Sequence, residues 1–185
     1  MAGAEQKVQA AVLSTMVALG QFKPKLPVLG LIPLAENMPG GLAQRPGDVV
    51  TAMNGKTIEI LNTDAEGRLI LADALCYAVE EGASKIVDIA TLTGACGVAL
   101  GELAMGLLSN SDSEVAAMKG AAEKTGERVW QLPLYAEYLE YLESGIADIA
   151  HCSESRYGGA CTAAKFLQQF VDDTPWAHLD MAPVM

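Results

Sequence analysis

The sequence has little positive charge and no long apolar run. Its 185 residues include 12 lysines and arginines against 23 acidic residues, which gives a formal net charge of -11. The basic residues are scattered, so no basic stripe is available to neutralise the phosphates of a nucleic acid. No hydrophobic run approaches the length of a membrane span, and no signal-peptide pattern opens the chain. We therefore expect a cytoplasmic protein that binds neither nucleic acid nor a membrane.

Histidine and cysteine are also scarce. The two histidines, His151 and His178, lie far apart in sequence, and isolated histidines are more often structural than metal-binding. The four cysteines form no CxxC pair, and three of them sit among small apolar residues. This pattern is typical of buried free thiols in a reducing compartment, although the sequence leaves a disulfide open. The patterns of nucleophile elbows and phosphate-binding loops are absent as well.

Helix and strand patterns alternate along the chain. Helical spacing of apolar residues predicts helices over 8–19, 66–82, 113–125, 133–142 and 158–170. Short apolar runs predict strands over 26–34, 48–53, 56–61, 85–92, 104–108, 129–132 and 176–181. Asn54-Gly55 predicts a two-residue hairpin turn, because both residues tolerate positive φ. The alternation predicts one domain over residues 1–185, a three-layer α/β/α sandwich around a mixed, largely parallel sheet.

The stretch NTDAEGRLILADALCYA, residues 62–78, carries three charges directly before an apolar helix. The run from Thr63 to Glu66 matches a capping box, so these residues could simply begin the helix. Arg68, however, falls in the first turn, where a cation gains nothing from the helix dipole. In extended backbone Asp64, Glu66 and Arg68 would point the same way. Two carboxylates suit a divalent cation and a guanidinium suits an anion, which indicates part of a metal site.

This stretch resembles the signature of the leucyl aminopeptidase (cytosol aminopeptidase) family of dinuclear metallopeptidases. Other segments resemble that family in the same order: Asn37-Met-Pro, Arg45-Pro-Gly-Asp48, Asn54-Gly-Lys-Thr57, Ala90-Thr-Leu-Thr-Gly-Ala95, Ala99-Leu-Gly101 and Trp176-Ala-His-Leu-Asp180. Together they extend over nearly the whole chain. The resemblance implies a metal-dependent enzyme that releases N-terminal, leucine-type residues from peptides by means of a metal-activated water. It also implies a homo-oligomer, a trimer or a hexamer.

The resemblance further implies roles for individual residues. Asp64 is similar to a ligand of one of two divalent metals, Mn²⁺ or Zn²⁺, and Glu66 to the carboxylate that bridges both. Arg68 is similar to the arginine that holds a bicarbonate ion, the proton shuttle of the reaction. In the family, backbone groups at a strand end bind the peptide substrate, and the matching positions in this chain are Thr91, Leu92, Thr93 and Gly94.

One part of the family pattern has no match in this chain. The family draws further ligands, a lysine and two aspartates, from an upstream glycine-rich stretch that also supplies a second lysine. The chain opens as if one residue after the last of these aspartates, and it stops before the family's final glycine-rich turn. We therefore expect a catalytic domain cut at both ends and lacking the family's N-terminal domain. Metal affinity should be weak and peptidase activity low. The alternative is a non-catalytic assembly partner that joins full-length subunits.

Overall fold

The computed structural model describes residues 2–184, which form five α-helices and seven strands. The helices are α1 Ala2–Phe22, α2 Gly67–Glu80, α3 Gly94–Leu100, α4 Asp112–Thr125 and α5 Gly159–Gln168. The strands are β1 Val49–Thr51, β2 Thr57–Glu59, β3 Ile86–Ala90, β4 Met105–Ser109, β5 Val129–Gln131, β6 Ile149–Ala150 and β7 Trp176–Asp180. Short 3₁₀ helices span Thr63–Ala65, Ala136–Leu142 and Ala182–Val184. Within the described residues, none of the helices combines the length and the apolar character that crossing a membrane requires.

The larger sheet has the strand order β3-β7-β4-β5. The pairs β3–β7 and β4–β5 are parallel and the central pair β4–β7 is antiparallel, so the sheet is mixed and largely parallel. Successive residues of β4 face opposite sides. Leu107 packs with Val115 of α4, whereas Leu108 joins the core that includes Trp176 and Phe166 of α5. Helices therefore cover both faces of the sheet, and the predicted α/β/α sandwich is confirmed.

A smaller sheet contains the hairpin and positions the candidate site. Strands β1 and β2 pair antiparallel, and β6 adds to β2 in parallel. The hairpin turn is one residue longer than predicted: Ala52 N donates to the Lys56 carbonyl at 2.9 Å, and only Gly55 has positive φ. A three-residue loop needs one residue in the left-handed region, whereas the two-residue turn needs two. Because β2 and β6 run in parallel, the segments that follow them leave at the same edge.

The strand predicted over residues 26–34 is wrong. This segment has no regular secondary structure, and its Leu26, Leu29 and Leu34 side chains are 66%, 56% and 72% exposed. Pro27 and Pro33 remove two of the N–H groups that a strand needs for pairing. A nearly continuous apolar run therefore indicated burial that the described residues do not provide.

Helix α3 lies against β4 at a position that requires glycine. A Cβ atom on Gly106 of β4 would come within 2.7 Å of the Cys96 sulfur. Cys96 is fully buried there, and burial raises the pKa of its thiol to about 11. All four cysteines are free, which agrees with the prediction of free thiols; three are buried, and Cys152 is half-buried.

Candidate functional site

The three predicted site residues follow β2 in a turn that leads into α2. Asn62, in extended backbone, begins this turn, and its side-chain oxygen accepts a hydrogen bond from Asp64 N at 3.0 Å. The Asn62 carbonyl also accepts from Ala65 N at 3.1 Å. Neither Thr63 nor Glu66 caps the helix through its side chain, so the capping-box interpretation is wrong. Asn62 caps the 3₁₀ helix Thr63–Ala65 instead, and α2 has no side-chain cap, so both acidic side chains stay out of the capping bonds.

Asp64, Glu66 and Arg68 do not share one face. The backbone is helical here, and residues two apart on a helix do not lie side by side. The Asp64 side chain is exposed, Glu66 is half-buried, and Arg68 is buried at 9% exposure. Glu66 Oε1 accepts a hydrogen bond from Asn37 Nδ2 at 3.1 Å. The expected alternation of an extended segment is therefore wrong, because the guanidinium is buried while the Asp64 carboxylate is exposed.

The Arg68 guanidinium is held by a backbone carbonyl and lies near two carboxylates and a thiol. Its Nη1 donates to the His151 carbonyl at 2.9 Å. Burial lowers the pKa of Arg68, while nearby Cys152, Asp180 and Glu66 act in the opposite direction by charge. A buried cation needs such neighbours, because leaving it without them is costly. Arg68 thus connects the acidic turn electrostatically with Asp180 at the end of β7.

The predicted substrate-binding segment, residues 91–94, leaves β3 next to the end of β7. Asp180, 1% exposed, fixes this segment: its Oδ1 accepts from Leu92 N at 3.1 Å, and its Oδ2 accepts from Thr93 Oγ1 at 2.7 Å. Thr93 Oγ1 in turn accepts from Cys96 N and caps α3. Sequence reasoning missed Asp180 as a site residue, although its place at the carboxyl end of a strand pattern was a usable signal.

His178 belongs to a buried network behind this segment. Its Nδ1 lies 2.6 Å from Asp88 Oδ1, and Trp176 Nε1 donates to the other oxygen of the same carboxylate. Burial by itself lowers the pKa of His178. The charge of Asp88 and the hydrogen bond to it together raise the pKa by more than burial lowers it, so the net shift is upward. The imidazolium form of His178 is thus stabilised by folding.

We predict that His178 makes the free energy of unfolding fall as the pH rises above the pKa of this histidine in the unfolded chain, which is about 6.5. A raised folded-state pKa gives stability that is complete below the unfolded pKa and is lost as the pH passes the folded pKa. Urea unfolding from pH 6 to 9 should show this decline in wild type and a flatter profile in His178→Gln. Parallel profiles for the two proteins would contradict the assignment.

Asp64 and Glu66 offer oxygen donors of the type that Mn²⁺ and Zn²⁺ accept. Over residues 2–184, however, no group of three or more histidine, cysteine, aspartate or glutamate side chains is arranged to hold a metal ion. Divalent cations in proteins take about four to six ligands. The donor type therefore fits a divalent cation, while the number of donors in the described residues does not complete a site.

An α/β sandwich with polar side chains at the carboxyl ends of parallel strands is typical of α/β enzymes. The family model for the cytosol aminopeptidase family, catalytic domain, matches residues 1–185. The chain therefore belongs to the cytosol aminopeptidase family, which confirms the resemblance seen in its motifs.

Known relatives agree with this assignment. A probable cytosol aminopeptidase from Solibacter usitatus is 59% identical over 173 residues, which cover 94% of this chain and 36% of that protein. One from Alkaliphilus oremlandii is 53% identical, with 94% and 34% covered. A mutant of tomato leucine aminopeptidase is similar in structure, with a TM-score of 0.89 and 46% identity over 96% of this chain and 35% of that chain. The chain thus spans about a third of the length of these relatives.

Proposed function

We propose that this chain carries part of the catalytic site of a metal-dependent aminopeptidase that releases leucine-type N-terminal residues from peptides. The observation that supports it most is the acidic turn. Asp64 is exposed, and no salt bridge engages Asp64 or Glu66 within the described residues. Buried Arg68 lies close enough to Glu66 for their charges to interact. Glu66 keeps one hydrogen bond, from Asn37 Nδ2, but neither carboxylate is neutralised by a cation in a salt bridge, and the family assignment supports a metal as their ligand.

In this proposal Asp64 and Glu66 bind divalent metal, Mn²⁺ or Zn²⁺. A bound divalent metal lowers the pKa of its water and polarises the scissile carbonyl. Arg68 binds bicarbonate: Nη1 is engaged with the His151 carbonyl, and a guanidinium carries five N–H donors. The segment from Thr91 to Gly94, shaped by Asp180, holds the peptide backbone. No third histidine, cysteine, aspartate or glutamate side chain of residues 2–184 is placed to join these two carboxylates.

Metal binding by the 185-residue chain tests this proposal. Calorimetric titration with Mn²⁺ should give weak binding, and Glu66→Ala should weaken it by roughly tenfold or more, because a charged ligand is lost. Glu123→Ala, which removes an exposed carboxylate from α4, should leave the affinity unchanged. Equal affinities for Glu66→Ala and wild type would remove the metal role from the proposal.

A second candidate function is that of a non-catalytic assembly partner. Large apolar side chains of α1 and the segment after it are exposed, among them Leu13, Val17, Phe22 and Leu26. Exposed apolar patches of this kind mark interaction surfaces. Co-elution with a full-length relative, without added hydrolysis of leucine amide, would favour this candidate.

We also propose a homo-oligomer in the cytoplasm; the names of the relatives, probable cytosol aminopeptidases, support the location.

A further inference from the structure

We propose that His151 is a positioning residue for the acidic turn: its ring holds the backbone that presents Asp64, and its carbonyl holds Arg68. This inference rests on the proposed function, because the turn matters for catalysis only if its carboxylates bind a ligand. His151 is fully buried and was expected from sequence to be an ordinary structural histidine. Its contacts instead converge on the segment that carries the site.

The strand order brings His151 to this segment. Strand β6 pairs in parallel with β2, so His151 emerges from β6 beside the residues that follow β2. Its backbone N–H donates to the Glu59 carbonyl at 3.0 Å and continues the ladder by one bond. The imidazole then lies against Leu61 and Asn62, where the ladder has ended.

Hydrogen bonds define the protonation of the ring. Leu61 N lies 3.2 Å from Nδ1 and, as a backbone N–H, can only donate. Nδ1 therefore acts as the acceptor, and Nε2 carries the proton that it donates to the Asn62 carbonyl at 2.7 Å. The Glu59 carbonyl, 3.1 Å from Nδ1, would require a proton there, which the Leu61 N–H opposes. Burial lowers the pKa of His151, in agreement with a neutral ring.

The chain of bonds continues from the ring to the carboxylate turn. The Asn62 carbonyl that accepts from Nε2 also accepts from Ala65 N, and the Asn62 side chain accepts from Asp64 N. A fixed Asn62 thus fixes the first turn, on which Asp64 lies. At the other end of the segment, the His151 carbonyl accepts from Arg68 Nη1. One residue therefore holds both ends of the segment from Asp64 to Arg68.

A purely structural histidine would affect stability and leave ligand binding unchanged, so the experiment measures both. We compare wild type with His151→Leu, which removes both ring nitrogens, and His151→Gln, which keeps a side-chain N–H donor. Val115→Ala, a core truncation on α4 across the sheet, controls for lost stability alone. Each protein is titrated with Mn²⁺ by calorimetry, and amide hydrogen exchange at Asp64 and Ala65 is followed by NMR.

His151→Leu should weaken Mn²⁺ binding about tenfold, the usual size of an outer-sphere loss, and should speed exchange at Asp64 and Ala65. His151→Gln should recover most of both effects, and Val115→Ala should change neither. Unchanged exchange at both amides in His151→Leu would overturn the inference whatever the metal does. Unchanged Mn²⁺ affinity in His151→Leu, alongside weaker binding in Glu66→Ala, would also overturn it and leave the proposed function standing. If Glu66→Ala does not alter Mn²⁺ binding, the metal role fails, while the exchange rates still decide the positioning role.

Discussion

Replacing Asp180 with alanine should lower the free energy of unfolding by about 3–5 kcal/mol. Its buried carboxylate accepts hydrogen bonds from Leu92 N, Thr93 Oγ1 and Ala182 N, and the substitution leaves these donors without their acceptor. It also takes away a negative charge near buried Arg68. Urea unfolding at pH 7 measures the loss.

Asp180→Asn separates these contributions. An asparagine keeps one acceptor oxygen for Leu92 N and Ala182 N, and it replaces the other oxygen with a donor facing Thr93 Oγ1. We expect its loss of stability to lie between those of alanine and wild type. Amide exchange at Leu92 should speed up strongly in the alanine variant and less in the asparagine variant. A loss within about 0.5 kcal/mol for alanine, the range of ordinary surface changes, would show that Asp180 does not organise this segment.

Arg68→Met is the second substitution with a large expected effect, about 2–4 kcal/mol. Methionine keeps an unbranched, apolar though shorter side chain, and it removes the donor to the His151 carbonyl and the cation near Glu66 and Asp180. Arg68→Lys restores the charge without the planar guanidinium, so its loss should be smaller. Urea unfolding of the three proteins provides the comparison.

Arg128→Met serves as the matched control, because Arg128 is exposed. Its expected change is within about 0.5 kcal/mol. Equal stability changes for Arg68→Met and Arg128→Met would mean that the buried guanidinium contributes nothing beyond an ordinary surface arginine. The interpretation of Arg68 as the electrostatic connection between the acidic turn and Asp180 would then be lost.

Local patterns predicted most of the secondary structure. The apolar spacing of α2 and the short runs of β3 and β7 depend on neighbours in sequence, and each appears within two or three residues of the expected bounds. Residues 26–34 failed because a buried strand needs a partner strand, and sequence shows only the apolar run. The hairpin loop was one residue longer than Asn54-Gly55 indicated, since turn length depends on how the flanking strands pair.

The candidate site was predicted in part. The charges of Asp64, Glu66 and Arg68 are visible in one short motif. The prediction that these side chains point the same way assumed an extended backbone, which the chain does not adopt there. His151 reaches Asn62 across 89 positions, and Asp180 reaches Leu92 across 88. These partners come together only when parallel strands end at a common edge, so local patterns gave no sign of either contact.

The central claim is that the turn of Asp64 and Glu66 is where this chain binds divalent metal. The groove lined by Glu137, Glu140 and Glu143 is an acidic competitor on the same molecule. Paramagnetic Mn²⁺ broadens the NMR signals of nearby amides, and substoichiometric addition to the isotope-labelled chain locates the ion. We predict that the broadening centres on the amides from Asn62 to Arg68. Broadening centred on the amides of the acidic groove, or spread evenly over the acidic surface, would contradict it.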